Sequence, residues 1–459
     1  MANWTDHSLL FATQEDITTV TTAGKSDHVA LLCDTPSVTF DTEITELELL
    51  TGAVGGAPER LSGRRSGSIS FNVPLQGLKD GYAPATEAPG GAPASGAEVI
   101  PPILALIGNA IGSAMGSLAG ANDTAKTANF FRGANSIYSG VPYGSGKVAS
   151  SSGLSNIVVD DSGMSGDITP GEFVVTATAD TVTNAMTGFV KTKSGETLTL
   201  FEDAVNQVTS AAAHVYGTAT VWQSDAEPVP LTIRWCGQAT EFEYILSGCI
   251  CESWSISLNA GEVPQVAMTY RFYNYSMNKT EGGLVVPDDY ERTPQIVGDQ
   301  NAQATLDTDA TCGLEDVSIA WSATIREIMC HAAEQGVSSA AVIKPRIKVS
   351  MSVPHDDGDL GLVYNSAGVA GNTGQHIWQS RLELGTTTSL GIYVGGTPGR
   401  CFGILVPAAY IVAAPGVDVG DIVRYSLELE ATAYTGDTDD DGASTGVTPL
   451  DSLFRLGMG

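Results

Sequence analysis

Positive charge is the scarcest ingredient of this chain. Lys and Arg together number 22 against 52 Asp and Glu in 459 residues, a formal net charge of −30. A surface so short of cations repels phosphate, which excludes a protein that reads nucleic acid by gripping its backbone. Charged residues of both signs make up only 16%, too few for a helical protein with broad solvated faces. Cysteine is sparse and odd in number. Cys33, Cys236, Cys249, Cys251, Cys312, Cys330 and Cys401 form no disulfide framework, and thiols in a reducing compartment are the simple reading. The start, Met1-Ala2-Asn3-Trp4-Thr5-Asp6, lacks the basic and then apolar regions of a secretory leader.

Long apolar runs are almost missing. The one uncharged stretch, 99–122, carries Asn109, Ser113 and Ser117 and a glycine at every fourth position from Gly108 to Gly120. A spanning helix needs about 20 mainly apolar residues. The expectation is instead a buried helix opened by Pro101-Pro102, with its glycine stripe against a sheet and no membrane partner. Enzyme signatures are missing as well. Tyr143-Gly144-Ser145-Gly146-Lys147-Val148 hints at a phosphate loop, but the first glycine is displaced and Val148 stands where Ser or Thr would meet magnesium. There is no His-x-x-x-His and no Gly-x-Ser-x-Gly. Cys249 and Cys251 have no second pair at zinc spacing. Asp437 to Asp441 begins like a calcium loop, yet its twelfth position is Thr448 rather than Glu. The expectation is no enzyme, no cofactor and no metal.

What is present is β structure. The chain has 52 Gly, 21 Pro and 42% hydrophobic residues, a balance of cores and turns. Val38, Phe40 and Ile44 alternate with Thr39, Asp41 and Glu43, then the phase slips at Leu47, which predicts a bulge near Thr45. Ile69, Phe71 and Val73 form the returning strand. Further strands follow at Phe173-Val174-Val175, at Thr187–Leu200 as a hairpin turning at Ser194-Gly195, and at Trp254–Leu258 and Val266–Phe272. Val317–Ile325, Ile347–Val353 and Val423–Leu429 complete the set. A second helix is expected over Phe201–His214.

Three anchors recur in order. Ser70–Pro74 returns as Ser350–Pro354, Leu231–Gly237 as Leu390–Gly396, and Gly248–Gly261 as Gly403–Gly416. A repeat read this way implies two copies of one building block. Pro74 to Leu231 spans 157 positions and Pro354 to Leu390 spans 36, so the first copy carries an insertion of roughly 120 residues, tolerated because loop closure costs grow only logarithmically. The organisation expected is an N-terminal arm at 1–35, a first module at 36–285 with the insertion at about 119–214, a linker at 286–312 and a second module at 313–459.

The long hairpin Thr39–Leu50 with Ser66–Pro74, the helix after it and the strand pair Cys251–Pro264, repeated at Pro407–Asp421, resemble the tail tube (major tail) proteins of long-tailed bacteriophages. They are most similar to the variant with two tube modules fused in one chain. The resemblance covers most of 36–118, 215–278 and 313–436 and leaves the insertion aside. It implies a mainly β fold of two tail-tube-like β-sandwich modules with long hairpins and a flanking helix, assembling into a ring-shaped β-barrel. It implies homotrimeric, pseudo-hexameric rings, helical stacking into a virion tail tube and a conduit for DNA ejection. Its partners would be the chain itself, tape measure, tail terminator and distal tail proteins, and DNA in transient, non-specific passage. It implies synthesis in the host cytoplasm. The polar hairpin faces would line the channel: Asp41, Glu43, Ser68, Ser70, Asn72, Ser318, Ser322, Thr324 and Ser350. An acidic wall would keep DNA from adhering, although Arg346 and Lys348 stand against that pattern. Two other readings fit the residues: a tandem β-sandwich adhesin or capsid decoration protein, and a β-rich glycoside hydrolase using paired carboxylates.

Overall fold

The computed structural model describes residues 7–14, 28–47, 59–75, 102–111, 130–131, 142–150, 154–159, 171, 173–178, 181–194, 197–202, 204, 213–217, 219–223, 228–237, 242–279, 303–306, 309–310, 316–330, 336–354, 377–395, 401–413, 416–419, 423–434 and 452–458. The chain opens with β1 (His7–Thr13), β2 (Val29–Leu31), β3 (Ser37–Leu47), β4 (Glu59–Pro74) and helix α1 (Pro102–Ala110). Next come β5 (Phe130–Phe131), β6 (Pro142–Ser150), β7 (Asn156–Val159), β8 (Phe173–Thr178), β9 (Thr181–Ser194), β10 (Thr197–Leu200) and β11 (Ala213–Gly217). Then follow β12 (Ala219–Trp222), β13 (Leu231–Gly237), β14 (Phe242–Asn259), β15 (Gln265–Phe272), β16 (Asn274–Lys279), β17 (Gln303–Leu306) and β18 (Asp309–Ala310). The last elements are β19 (Asp316–Met329), β20 (Val337–Pro354), α2 (Ile377–Leu384), β21 (Thr388–Val394), β22 (Phe402–Ile411), β23 (Gly416–Val419), β24 (Val423–Ala431) and β25 (Arg455–Met458).

The fold is mainly β and its sheets are antiparallel. Its centre is a run of eight neighbouring strands, β3-β4-β15-β14-β19-β20-β24-β23. Period-two alternation gives this sheet one apolar and one polar face. Ile69, Phe71, Val73, Trp254, Ile256, Val266, Met268, Ile319, Trp321, Val349, Leu427 and Leu429 are all buried in one core. Their sequence neighbours are mostly Ser, Thr, Asn and charged residues.

The run consists of one four-strand order used twice. β3-β4-β15-β14 is followed by β19-β20-β24 and then β22 with β23, and a helix lies between the hairpin and the next strand in each copy. Irregularities fall at matching places. The first hairpin gains a residue on β4 opposite Thr42–Ile44, and the second gains one on β20 opposite Ser322–Thr324. β14 gains one opposite Leu231–Ile233, and β22 gains one opposite Thr388–Leu390. The pairs Ser37↔Ser70 and Ser318↔Ser350 place the first sequence anchor correctly. The other two anchors shift: Leu231 corresponds to Thr388, and Gly248 falls opposite Ala408 rather than Gly403. The Leu231 anchor slips by two, which keeps every side chain on its face and escapes local pattern, whereas the Gly248 anchor slips by five.

Several segments differ from expectation. The expected arm supplies β1, which pairs with β13 and β2 and buries Leu9, Leu10 and Phe11. The expected linker supplies β17, which pairs with β21 as β1 pairs with β13. Each copy thus covers the edge of its own outer hairpin, an edge that unpaired would be an aggregation hazard. Of the second expected helix, residues 203 and 205–212 lie outside the described residues. Ala213–Gly217 is strand β11, which closes a six-strand barrel of order β10-β7-β6-β11-β8-β9. The insertion is this barrel, and the β9–β10 hairpin turns where the sequence places it. The bulge in the first hairpin sits at Thr42–Ile44 and its extra residue is on β4.

Helix α1 is buried along its whole length. Its one polar side chain, Asn109, is satisfied by a two-way amide clip: Nδ2 donates to the Val229 carbonyl at 3.0 Å and Oδ1 accepts from the Val229 amide at 3.0 Å. The glycines after Ile111 lie outside the described residues. Among the described residues, no helix is long and apolar enough to cross a membrane.

Candidate functional site: two faces, two edges and a socket

The polar face of the central sheet gathers most of the channel-lining candidates. Ser68, Ser70 and Asn72 stand on β4, Ser318, Ser322 and Thr324 on β19, Ser350 on β20, and Asp41 on β3. Asp41, Asn72, Ser322, Thr324 and Ser350 are exposed. Glu43 lies on β3, and its side chain is outside the described residues. β14 adds Ser253, Ser255 and Ser257, which alternation marks as strand residues without assigning them to this surface. The face is rich in hydroxyls; Ser70 and Thr269 hydrogen-bond each other at 3.1 Å. A shallow groove of about 290 Å³ crosses it, lined by Ser257, Asn259, Asp316, Ser318, Ser350 and Glu428.

Charges of both signs stand on this face. On the polar face of the eight strands, Asp41, Asp316, Glu428 and Glu430 stand beside Arg271, Arg346, Lys348 and Arg424. Asp418 of β23 joins them by register, opposite Arg424. Lys348 lies directly opposite Glu430, and Arg346 reaches the same carboxylate at 3.6 Å.

The two copies meet at the seam β14–β19, in register from Ser253↔Ser322 to Asn259↔Asp316. Trp254 lies opposite Trp321 with ring centroids 6.4 Å apart and planes 6° from parallel, and Phe454 packs 5.2 Å from Trp254. Beyond the seam, Arg64 of the first hairpin grips Glu327 of the second. Its Nη2 donates to Oε1 at 2.7 Å and its Nη1 to Oε2. Arg271 approaches Glu327 at 3.5 Å. The hydrogen bond from Arg64 holds the Glu327 carboxyl below its ordinary range. At the outer ends of the run, β3 and β23 each pair on one side only among the described residues.

The inserted barrel leaves the first copy but seats on the second. Phe173 of β8 lies over Gly403 and Gly457, and a Cβ at either position would come within 2.5 Å of its ring or Cβ. Phe173, Phe189, Tyr393, Cys401 and Leu405 form a core of their own. Glu202, just past β10, enters the hollow over Gly391 and accepts a hydrogen bond from Ser389 at 3.4 Å. Burial pushes its carboxyl up to about 8. Tyr393 faces it, and the buried Arg455 stacks 4.8 Å over Phe201. By register, Gly391 and Gly403 correspond to Arg234 and Glu243 in the first copy.

There the same surface is closed by side chains. The Arg234 Nη1 donates to Glu243 at 2.9 Å, and its Nε donates to His28 Nε2 at 3.2 Å, all three residues being buried. Hydrogen bonds to a charged partner contribute about 2 kcal/mol. Glu243→Gln is expected to lower folding stability by about that amount in urea titrations, without disturbing the barrel's seat on the second copy.

The remaining sequence motifs have plain structural places. Tyr143–Val148 forms part of strand β6 rather than a loop before a helix. Cys249 and Cys251 are buried and burial raises both thiols, so they are inert. Among the described residues, no group of three or more His, Cys, Asp or Glu is placed to hold a metal. Asp437–Asp441 lies outside them. No protein-family model matches the chain, and no curated protein sequence matches it.

Proposed function

We propose that this chain is a tail tube subunit of a long-tailed phage, three copies closing a ring whose inner wall is the central sheet. One observation carries the reading. The two copies inside the chain are joined head to tail through β14 and β19. Among the described residues, the counterparts of those strands, β23 and β3, each pair on one side only, at the two ends of the run. A unit whose two ends complement each other polymerises, and closes if the rotation allows it. Ring closure would satisfy both edges, which a free monomer leaves exposed to non-specific pairing.

The hydroxyl-rich face suits a conduit. Phosphate binding draws on unpaired cations and released counterions, and two of the cations on or beside this face, Arg346 and Arg271, already stand against carboxylates. A wall whose cations already stand against carboxylates would not hold DNA. The electron-microscopic expectation is hollow striated tubes, or rings whose solution mass equals three chains. A protein that stays monomeric and dispersed at high concentration is the result that favours the adhesin or decoration reading.

A further inference from the structure

We propose that the seam between neighbouring chains repeats the seam inside the chain, register for register, and that Lys344 of one chain meets Glu46 of the next. The inference rests on the ring reading and specifies the contact that closes it.

The internal seam supplies the template. Ile256 lies opposite Ile319 and Ser257 opposite Ser318. Each has a counterpart fixed by shared pairing partners. Asp418 pairs with Arg424 of β24, and Ser257 with Gln265 of β15, while Arg424 and Gln265 lie opposite the matching prolines Pro354 and Pro74. Val417 therefore stands where Ile256 stands. In the hairpins, Ser37↔Ser70 matches Ser318↔Ser350, so Val38 stands where Ile319 stands. The outer seam then sets Val417 opposite Val38 and Asp418 opposite Ser37, with Gly416 opposite Thr39.

The charge clamp is duplicated too. Arg64 lies six residues before Ser70, within the extra residues of β4, and Lys344 lies six before Ser350, within the extra residues of β20. Lys344 is exposed and adopts a left-handed backbone, φ 52°, at that bulge. Glu327 follows Ser318 by nine positions, and Glu46 follows Ser37 by nine. Inside the chain these places hold the Arg64–Glu327 pair. At the two ends they hold a cation and an acid of the same order, which fit a second copy of this chain.

The experiment compares wild type, Lys344→Glu, Glu46→Lys and the double variant by mass and microscopy, with thermal melts to check folding. The single variants are expected to lower ring yield at least about tenfold at low salt, with the defect shrinking as salt screens it. The double variant restores the pair in every seam and recovers assembly. Independently, Val38→Cys with Val417→Cys is expected to link chains into covalent dimers and trimers, since directly opposed Cβ atoms lie about 4.5–5.5 Å apart. Wild-type rings together with unaffected single variants, or an unrescued double variant and no cross-link, overturn the register while leaving the tube reading intact. Absence of rings from the wild type overturns both.

Discussion

Truncating Trp254 to alanine is expected to cost about 3–5 kcal/mol of folding stability, the range of large-to-small aromatic substitutions in cores. Trp254 is 1% exposed and stacks on Trp321 across the seam that joins the two copies in the central run. The backbone ladder alone does not fix the angle between the copies; two interlocked indoles do, and Phe454 braces them from the C-terminal end. Trp254→Phe should cost far less, below about 1.5 kcal/mol, because it keeps a ring in the stack. It also removes an indole N–H that finds no acceptor among the protein atoms, and an unsatisfied buried donor is itself destabilising. Urea unfolding of the two variants tests this directly. A cost below about 1 kcal/mol for the alanine variant would show that the stack does not hold the seam.

The second large effect is pH-dependent. Glu202 is expected to make the wild-type protein less stable as pH rises, and Glu202→Gln to remove that part of the slope. Its carboxyl titrates near 8 in the folded protein, up from its ordinary value of 4.5, because it is buried over Gly391. The folded chain therefore keeps a proton that the unfolded chain has released. The stabilisation is complete below about 4.5 and is lost progressively as pH climbs through 8. Each pH unit in that window corresponds to about 1.4 kcal/mol. The wild type is then expected to fall behind the glutamine variant by about 3 kcal/mol between pH 5 and pH 8. The quantity to measure is the stability difference between the two proteins at each pH, which cancels the many other carboxyls. A difference that does not change with pH would mean that Glu202 is hydrated and the barrel's seat is looser than described.

Parts of this architecture are legible in the residues. Alternation names Val38 and Phe40, Ile69 to Val73, Trp254 to Leu258 and Val349 to Val353 as strands and puts their apolar sides together. The turn at Ser194-Gly195 and the buried helix opened by Pro101-Pro102 are readable because turn chemistry and helix starts are local. The first anchor of the repeat lies in register. The Leu231 anchor slips because one alternating strand matches another equally well two residues along, and the Gly248 anchor, five residues off, rests on glycines that do not correspond. The strand at His7–Thr13 escapes sequence reading because it does not alternate, and Gln303–Leu306 because its alternation runs for only four residues. Leu9, Leu10 and Phe11 form a run buried on both sides, a pattern short enough to pass for part of an irregular arm. Most of the helix expected at Phe201–His214 lies outside the described residues; its last two, Ala213 and His214, belong to β11 because they pair with β8 and β6.

The sequence by itself determined the strand faces and the scarcity of cations, since these follow from a two-residue period and from composition, and it placed one anchor of the repeat in register. Only the tertiary structure decided that the copies join head to tail, that the polar face sets cations beside its acids despite a net charge of −30, and that the inserted barrel seats on the other copy. Those facts depend on which distant strands pair and on what a glycine leaves room for. Gly391, Gly403 and Gly457 look like ordinary strand interruptions in one dimension. They become a socket only when Phe173 and Glu202 are folded onto them.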